Sequence, residues 1–119
     1  MERHSYKKPV TPVDYLYALD DDGDILMVGG FRVITDATAW CWVDISAKGL
    51  HKIYSCYRVM AEWMDSFCQE HGVTRLEAVI KDGYDAGCRL VEHLGFTYES
   101  HKPKFFGDGD GLLYVRYYG

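Results

Sequence analysis

The chain has 119 residues, a length that fits one domain with one hydrophobic core. Hydrophobic residues make up 48% of it and aromatic residues 15%, which excludes an intrinsically disordered protein. The net charge of −5 makes nucleic acid an unfavourable ligand, because an acidic surface repels phosphates.

The sequence indicates neither a membrane segment nor a disulfide framework. No apolar run approaches the roughly 20 residues that span a bilayer, and the start, MERHSYKKPV, lacks the apolar middle of a signal peptide. We therefore expect a cytoplasmic protein. The cysteines are widely spaced and form no Cys-x-x-Cys, so we expect reduced thiols and no metal site; they are Cys41, Cys56, Cys68 and Cys88.

The first part of the chain predicts antiparallel strands. Residues 1–14 are a basic arm with two prolines, to which we assign no function. Two apolar runs over residues 15–19 and 25–34 flank the turn DDDGD and predict a β-hairpin, and residues 39–45 predict a third strand. The acidic turn lacks the spacing of an EF-hand loop, and we interpret it and the Gly-Asp run over residues 107–111 as plain solvated turns.

The second part predicts two helices and three more strands. Apolar residues recur at i, i+3 and i+4 over residues 50–71, which indicates an amphipathic helix that Gly72 ends. Residues 73–80 predict a strand, and Asp82 is positioned to cap a helix over residues 84–94. The last strands are predicted over residues 96–106, which contain Pro103, and over residues 112–118. The strand, helix and strand over residues 73–96 are typical of parallel sheets.

The predicted order is β-β-β-α-β-α-β-β, a single α/β (α+β) domain over residues 15–119 with a mixed, mainly antiparallel sheet and two helices. This order, with Leu94-Gly95-Phe96 after the second helix, resembles the GNAT superfamily of N-acetyltransferases. The stretch VEHLGFTYES, followed by a Gly-rich turn and an aromatic strand, is similar to the small GNAT-like internal virion proteins of T7-like phages.

The resemblance implies acetyl-CoA as cofactor and places it at the third strand and the junction with the first helix. In that superfamily strand amides hold the pantetheine arm and amides at the helix start hold the pyrophosphate. Gly49 matches the family's loop pattern, whereas Ser46 stands at a position that usually has Arg or Gln. An ordinary strand-to-helix loop is the alternative. The implied cofactor-binding residues are Trp42, Val43, Asp44, Lys48, Gly49, Leu50, His51 and Lys52.

The same resemblance leaves the catalytic residues unassigned. A Tyr is usual four residues before the Gly of Gly-Phe, where this chain has Val91, and Tyr84 replaces a common Asn near the start of that helix. Tyr84 as an acid, and Asp44, Asp36 or His101 as a base, remain open.

Two hypotheses follow. The first is an acetyl-CoA-dependent N-acetyltransferase with a degenerate cofactor loop. The second is a catalytically inactive GNAT-like phage protein that acts as a virion component or as an inhibitor of a host protein, located in the virion or the host cytoplasm. GNAT enzymes normally have a first strand and two helices before the hairpin, which this sequence lacks. In those enzymes the two helices form much of the wall around the acceptor substrate, so either a second subunit of a homodimer replaces this wall or no acceptor is bound. The second hypothesis predicts a protein partner.

Overall fold

The structure, a computed structural model, describes residues 13–119. The basic arm predicted over residues 1–14 lies outside the described residues up to residue 12, and residues 13 and 14 begin the first strand. The described elements are, in chain order, β1 (Val13–Asp21), β2 (Asp24–Val33), β3 (Thr38–Ile45), α1 (Ala47–His51), α2 (Ile53–His71), β4 (Arg75–Lys81), α3 (Asp85–His93), β5 (Thr97–Phe106) and β6 (Gly109–Tyr117).

β1 and β2 form the predicted hairpin, which is confirmed, with Tyr15 opposite Phe31. The chain reverses at Asp22 and Gly23, whose φ angles are 51° and 85°. Glycine adopts this left-handed conformation without a steric penalty, and an aspartate tolerates it better than most residues. The hairpin therefore presents a tip of exposed carboxylates beside the start of α1.

The six strands form one sheet in the order β1-β2-β3-β4-β6-β5. β3 and β4 run parallel and are joined through α1 and α2, whereas the other neighbours are antiparallel, which confirms the mixed, mainly antiparallel sheet. The predicted strand, helix and strand over residues 73–96 do form, but β5 does not pair with β4. β6 lies between them, because the closing β5–β6 hairpin inserts its second strand beside β4.

The predicted single helix over residues 50–71 is wrong at its start, so the described residues contain three helices rather than two. α1 begins at Ala47, before the predicted start. Lys52 has non-helical backbone angles (φ −119°, ψ 38°) and separates α1 from α2. The apolar stripe of α2 starts only at Ile53, so the helical period carries no sign of the preceding turn. Gly72 has φ 67° and ends α2 as predicted.

α3 starts without a side-chain cap, so the predicted cap by Asp82 is wrong. The Asp82 amide instead donates to the Asp110 carbonyl (2.9 Å), which ties the β4–α3 turn to β6. At the other end Gly95 has φ 91°, which confirms it as the left-handed stop, and the Phe96 amide donates to the Val91 carbonyl (2.9 Å).

The core lies between one face of the sheet and the helices α2 and α3. Phe31 of β2 stacks on Phe67 of α2 with ring centroids 4.3 Å apart, and Leu76 of β4 is fully buried beside them. Val91 and Phe96 bring α3 and its exit into the same cluster. None of the described helices is long and apolar enough to cross a membrane. Because α2 and α3 share this core with the sheet, both helices cover the same face of the sheet.

Candidate functional site: a cleft between two splayed strands

β3 and β4 separate halfway along their length. Their parallel pairing ends at Trp40 opposite Glu77, although β3 continues to Ile45 and β4 to Lys81. Over these last residues each strand keeps only its outer neighbour, β2 or β6, among the described residues. The facing strand edges therefore have no partner strand there, and their backbone amides and carbonyls are available to a ligand.

The splay opens onto a cavity of about 580 Å³, closed on one side by α2 and α3. This volume lies within the usual range of roughly 300–1,000 Å³ for small-molecule sites. The ionisable residues among those that line it are fewer than the apolar ones, and Asp44 shares the strand face of Trp42. They are Cys41, Asp44, Tyr57, Tyr84, Arg89 and His93.

The predicted cofactor-binding residues that lie on β3 also line the cavity. Trp42, Val43 and Asp44 all line it, as does Leu50 from α1. The remaining predicted residues do not line it, and they lie on α1 or at the break after it. They are Lys48, Gly49, His51 and Lys52.

Gly49 serves packing in this structure. A Cβ at this position would lie 2.1 Å from the Leu26 carbonyl oxygen and 2.7 Å from Ile45 Cγ2, so only glycine lets α1 dock on β2. Its amide donates to Ser46 Oγ (3.1 Å), and Ser46 Oγ donates in turn to the Ile25 carbonyl (2.7 Å). The Gly49 amide is therefore already paired within the protein.

Helix amides without a side-chain cap lie one turn later, at the start of α2. The Lys52 side chain makes no cap bond to α2, and the first amide there that bonds to the preceding residues is that of Cys56, to the Lys52 carbonyl (3.0 Å). The first amides of a helix lack intrahelical acceptors and together with the helix dipole favour an anion. Ile53, the first residue of α2, also lines the cavity.

The two lysines at the junction are paired with the acidic hairpin tip. Lys48 Nζ lies 2.6 Å from Asp24 Oδ2, and Lys52 pairs with Asp21. The hydrogen bond from Lys52 lowers the pKa of Asp21 and correspondingly raises the pKa of Lys52, so both groups are charged at neutral pH. A phosphate at this position would have to compete with these carboxylates.

The candidate catalytic residues divide into two groups. Tyr84 and Asp44 line the cavity, whereas Asp36 lies in the β2–β3 turn and His101 on β5. Buried Gly87 sets the position of Tyr84, since a Cβ there would lie 2.7 Å from the Tyr84 ring and 3.0 Å from Ile80 Cγ2. Glycine thus lets α3 approach β4 with the phenol lying across its first turn.

Tyr57 and His93 were missed in the sequence and belong to the cavity. Their rings lie 5.8 Å apart, centroid to centroid, where α2 and α3 face each other across the cleft. Tyr57 falls on the apolar stripe of α2 and so reads as a core residue, and His93 closes α3. Val91 is buried and lines the cavity with an aliphatic side chain.

A nucleophilic Cys56 or Cys68 has no support in the structure. Cys56 and Cys68 are buried, and burial raises the pKa of Cys68 to about 11. Burial also raises the pKa of Cys56, whose Sγ lies 3.6 Å from the Gly49 carbonyl. Protonated, buried thiols are poor nucleophiles.

The sheet face opposite the helices is uncovered by any described element. Leu16, Trp40 and Trp42 point to this face and are 73%, 46% and 49% exposed. The Trp42 indole lies over Gly30, where a Cβ would come within 2.7 Å of Nε1, and Trp40 Nε1 donates to Glu77 (3.0 Å). Within residues 13–119 an apolar, aromatic strip thus faces outward.

Comparison with known proteins supports the fold. No family model and no curated protein matches the sequence. An acetyltransferase of the GNAT family from Streptococcus pneumoniae matches with a TM-score of 0.76 at 14% identity, over 89% of this chain and 67% of that one. A mutant spermidine N-acetyltransferase from Vibrio cholerae gives 0.75 at 12%, over 87% and 65%.

A GNAT-family acetyltransferase from Bacillus anthracis gives a TM-score of 0.71 at 16% identity, over 87% of this chain and 65% of that one. The chain thus spans about two thirds of the length of these solved structures. At such identities the likeness shows the fold alone. The protein has a GNAT-like fold.

Proposed function

We propose that the protein is an acetyl-CoA-dependent N-acetyltransferase. The observation that carries the proposal is the splay of β3 from β4 beside a cavity of about 580 Å³. An extended thioester arm laid between the two strands would bond to strand groups that lack a partner, as an added β-strand does. The GNAT-like fold of known acetyltransferases supports this use of the cleft.

The start of α2, rather than Gly49, is the place we propose for the cofactor pyrophosphate. The first amides of α2, from Ile53 to Ser55, lack a side-chain cap and lie at the positive end of a 19-residue helix. Ile53 connects this end to the cavity. The ion pairs of Lys48 and Lys52 with the hairpin weaken phosphate binding at this site, because the paired carboxylates offset the positive charge of the lysines.

The cleft supplies groups for the proton transfers that acyl transfer needs. The amine nitrogen bonds to the thioester carbonyl carbon, the C–S bond breaks, the ammonium proton passes to a base, and the departing thiolate takes up a proton. We assign these roles to His93 as base and to Tyr57 or Tyr84 as acid, since all three line the cavity. The main contribution is positioning of the two reactants.

Titration calorimetry with acetyl-CoA tests the proposal, with a matched pair of variants at one position. Tyr54 is 85% exposed in the first turn of α2, so its replacement leaves the core intact. Tyr54→Asp adds a charge that favours the helix but repels a pyrophosphate, whereas Tyr54→Asn does not. We expect Tyr54→Asp to bind acetyl-CoA about tenfold more weakly than Tyr54→Asn, a difference of about 1.4 kcal/mol. Absence of heat and of a thermal shift at millimolar acetyl-CoA would exclude the proposal.

The uncovered sheet face favours a second candidate, in which the protein acts through a protein partner rather than by catalysis. A second copy of the chain on Leu16, Trp40 and Trp42 would form a homodimer. This candidate includes the role of virion component or host-protein inhibitor. Light scattering at micromolar concentration should give a dimer for the wild type and for Tyr54→Asn, and a monomer for Leu16→Lys. A monomeric wild type would exclude the homodimer.

A further inference from the structure

Three metal-binding side chains from three separate segments meet at the end of the sheet where β4 leads into α3. Asp82 follows β4, His101 is on β5, and Asp110 is on β6. One ligand atom from each lies within 4.8 Å of the others. They do not line the cleft, so the cluster is separate from the proposed acetyl-CoA site.

Backbone contacts hold the members of the cluster in place. The Asp82 amide donates to the Asp110 carbonyl (2.9 Å), and the Lys104 amide donates to Asp110 Oδ1 (2.8 Å). Lys104 has a φ of 55° at an irregularity of β5, which turns its amide toward Asp110. These two hydrogen bonds fix the Asp110 side chain and the turn that carries Asp82.

The ion pairs around the cluster do not place a lysine or arginine on Asp82 or Asp110 within residues 13–119. His101 Nε2 lies 2.7 Å from Asp110 Oδ2. The nearby Lys81 ammonium pairs with Asp108 (2.5 Å). Two carboxyl groups and an imidazole that converge in this way suit a divalent cation between them.

We propose that Asp82, His101 and Asp110 form a Zn²⁺ site. One imidazole with two carboxylates suits a borderline metal better than Ca²⁺ or Mg²⁺, which prefer oxygen ligands alone. In a Zn²⁺ site these ligand atoms would lie roughly 2.0–2.2 Å from the metal. Three protein ligands leave the fourth position to water.

A metal here would join the β4–α3 turn to the β5–β6 hairpin. Tyr84, two residues after Asp82, lines the cleft, so the metal would fix the entry of α3 from outside the cavity. The proposal does not depend on acetyl-CoA binding. Its test uses the metal alone, and its outcome is read independently of any transferase activity.

ZnCl₂ titration of the reduced full chain, by calorimetry and by thermal unfolding, tests the site. We expect one equivalent to bind and to raise Tm, and His101→Gln or Asp110→Asn to weaken binding at least about tenfold. Asp110→Asn keeps an acceptor for the Lys104 amide, so it removes the charge without removing that bond. His51→Gln, an exposed histidine on α1, is the control and should bind as the wild type does.

Two results would overturn the proposal. One is the absence of heat and of a Tm shift at millimolar ZnCl₂. The other is binding of equal strength in the wild type, His101→Gln and Asp110→Asn, which would locate the ion at other residues. A titration with CaCl₂ is expected to give at least about tenfold weaker binding, because Ca²⁺ gains little from an imidazole. Tighter binding of Ca²⁺ than of Zn²⁺ would equally contradict the assignment.

Discussion

Gly49→Ala is expected to destabilise the fold strongly, although it adds a single methyl group. The new Cβ would lie 2.1 Å from the Leu26 carbonyl oxygen, more than 1 Å inside an ordinary contact. Because the obstacle is backbone, α1 must move away from β2. Overpacking of this kind costs typically about 1–3 kcal/mol, and loss of the Ser46 cap and its bond to β2 adds about 1 kcal/mol each.

We therefore expect Gly49→Ala to lower the free energy of unfolding by about 3–5 kcal/mol, a large share of the usual 5–15 kcal/mol. For a domain of this size the corresponding fall in Tm is about 12 °C or more. Urea unfolding followed by far-UV circular dichroism measures the free energy, and a thermal scan measures Tm. Gly107→Ala is the control, because a Cβ there meets nothing within 4 Å, and its effect should stay within about 1 kcal/mol.

A Gly49→Ala protein that unfolds within about 1 kcal/mol of the wild type would refute the packing argument. If such a protein also lost acetyl-CoA binding, the glycine would serve the cofactor, as the sequence pattern implies. The experiment thus separates the two reasons for glycine at one position.

Two further predictions concern ionisation. Arg75 and the Tyr117 hydroxyl hydrogen-bond to Glu99 and lower its pKa below the usual 4.5, so their stabilising effect is complete above that pH and is lost as the pH falls through the lowered pKa. The Tm gap between the wild type and Arg75→Met should therefore be constant above pH 4.5 and narrow as the pH falls further, and a gap that does not change with pH would contradict this. Cys68, with its pKa raised to about 11 by burial, should react with iodoacetamide at pH 8 no faster than the protein unfolds; rapid labelling detected by mass spectrometry would contradict its burial.

The elements that the sequence predicts best are those with local signals. The hairpin follows from its alternating apolar residues and Gly23, and Gly72 and Gly95 end their helices with φ angles of 67° and 91°. The interruption of the helix at Lys52 has no such signal. It results from the docking of Gly49 on the Leu26 carbonyl, a contact between residues 23 positions apart that no helical period records.

Only some of the residues that line the cavity have a local signal in the sequence, for the same reason. Trp42, Val43 and Asp44 line the cavity because they lie on β3, which the pattern does identify. Tyr57 and His93 enter the cavity from two helices whose mutual placement depends on the whole core. The pairing of Lys52 with Asp21 is equally non-local, since it depends on where the hairpin tip lies relative to α1.

Electrostatics at the hairpin tip bears on the choice between the two candidate functions. The tip carries four carboxylates and faces two lysines from α1 and the residue after it. The carboxylates are those of Asp20, Asp21, Asp22 and Asp24, and the lysines are Lys48 and Lys52. The carboxylates outnumber the lysines, so a pyrophosphate at α2 gains from the helix amides and loses to the hairpin. Asp21→Asn removes one repulsive charge and frees Lys52, and we expect it to tighten acetyl-CoA binding about three- to tenfold. Asp36→Asn, in the β2–β3 turn, is the control.

The salt dependence of acetyl-CoA binding shows whether repulsion by the hairpin carboxylates or attraction by the lysines dominates. If repulsion from the hairpin dominates, added salt screens it and acetyl-CoA binding to the wild type strengthens or stays constant. If the lysines dominate, binding weakens with salt. In Asp21→Asn the balance shifts toward attraction, so its affinity should fall with salt more steeply than that of the wild type. Identical salt slopes in the two proteins would mean that the cofactor phosphates do not lie near the hairpin, which would leave the uncovered sheet face as the better-supported site of action.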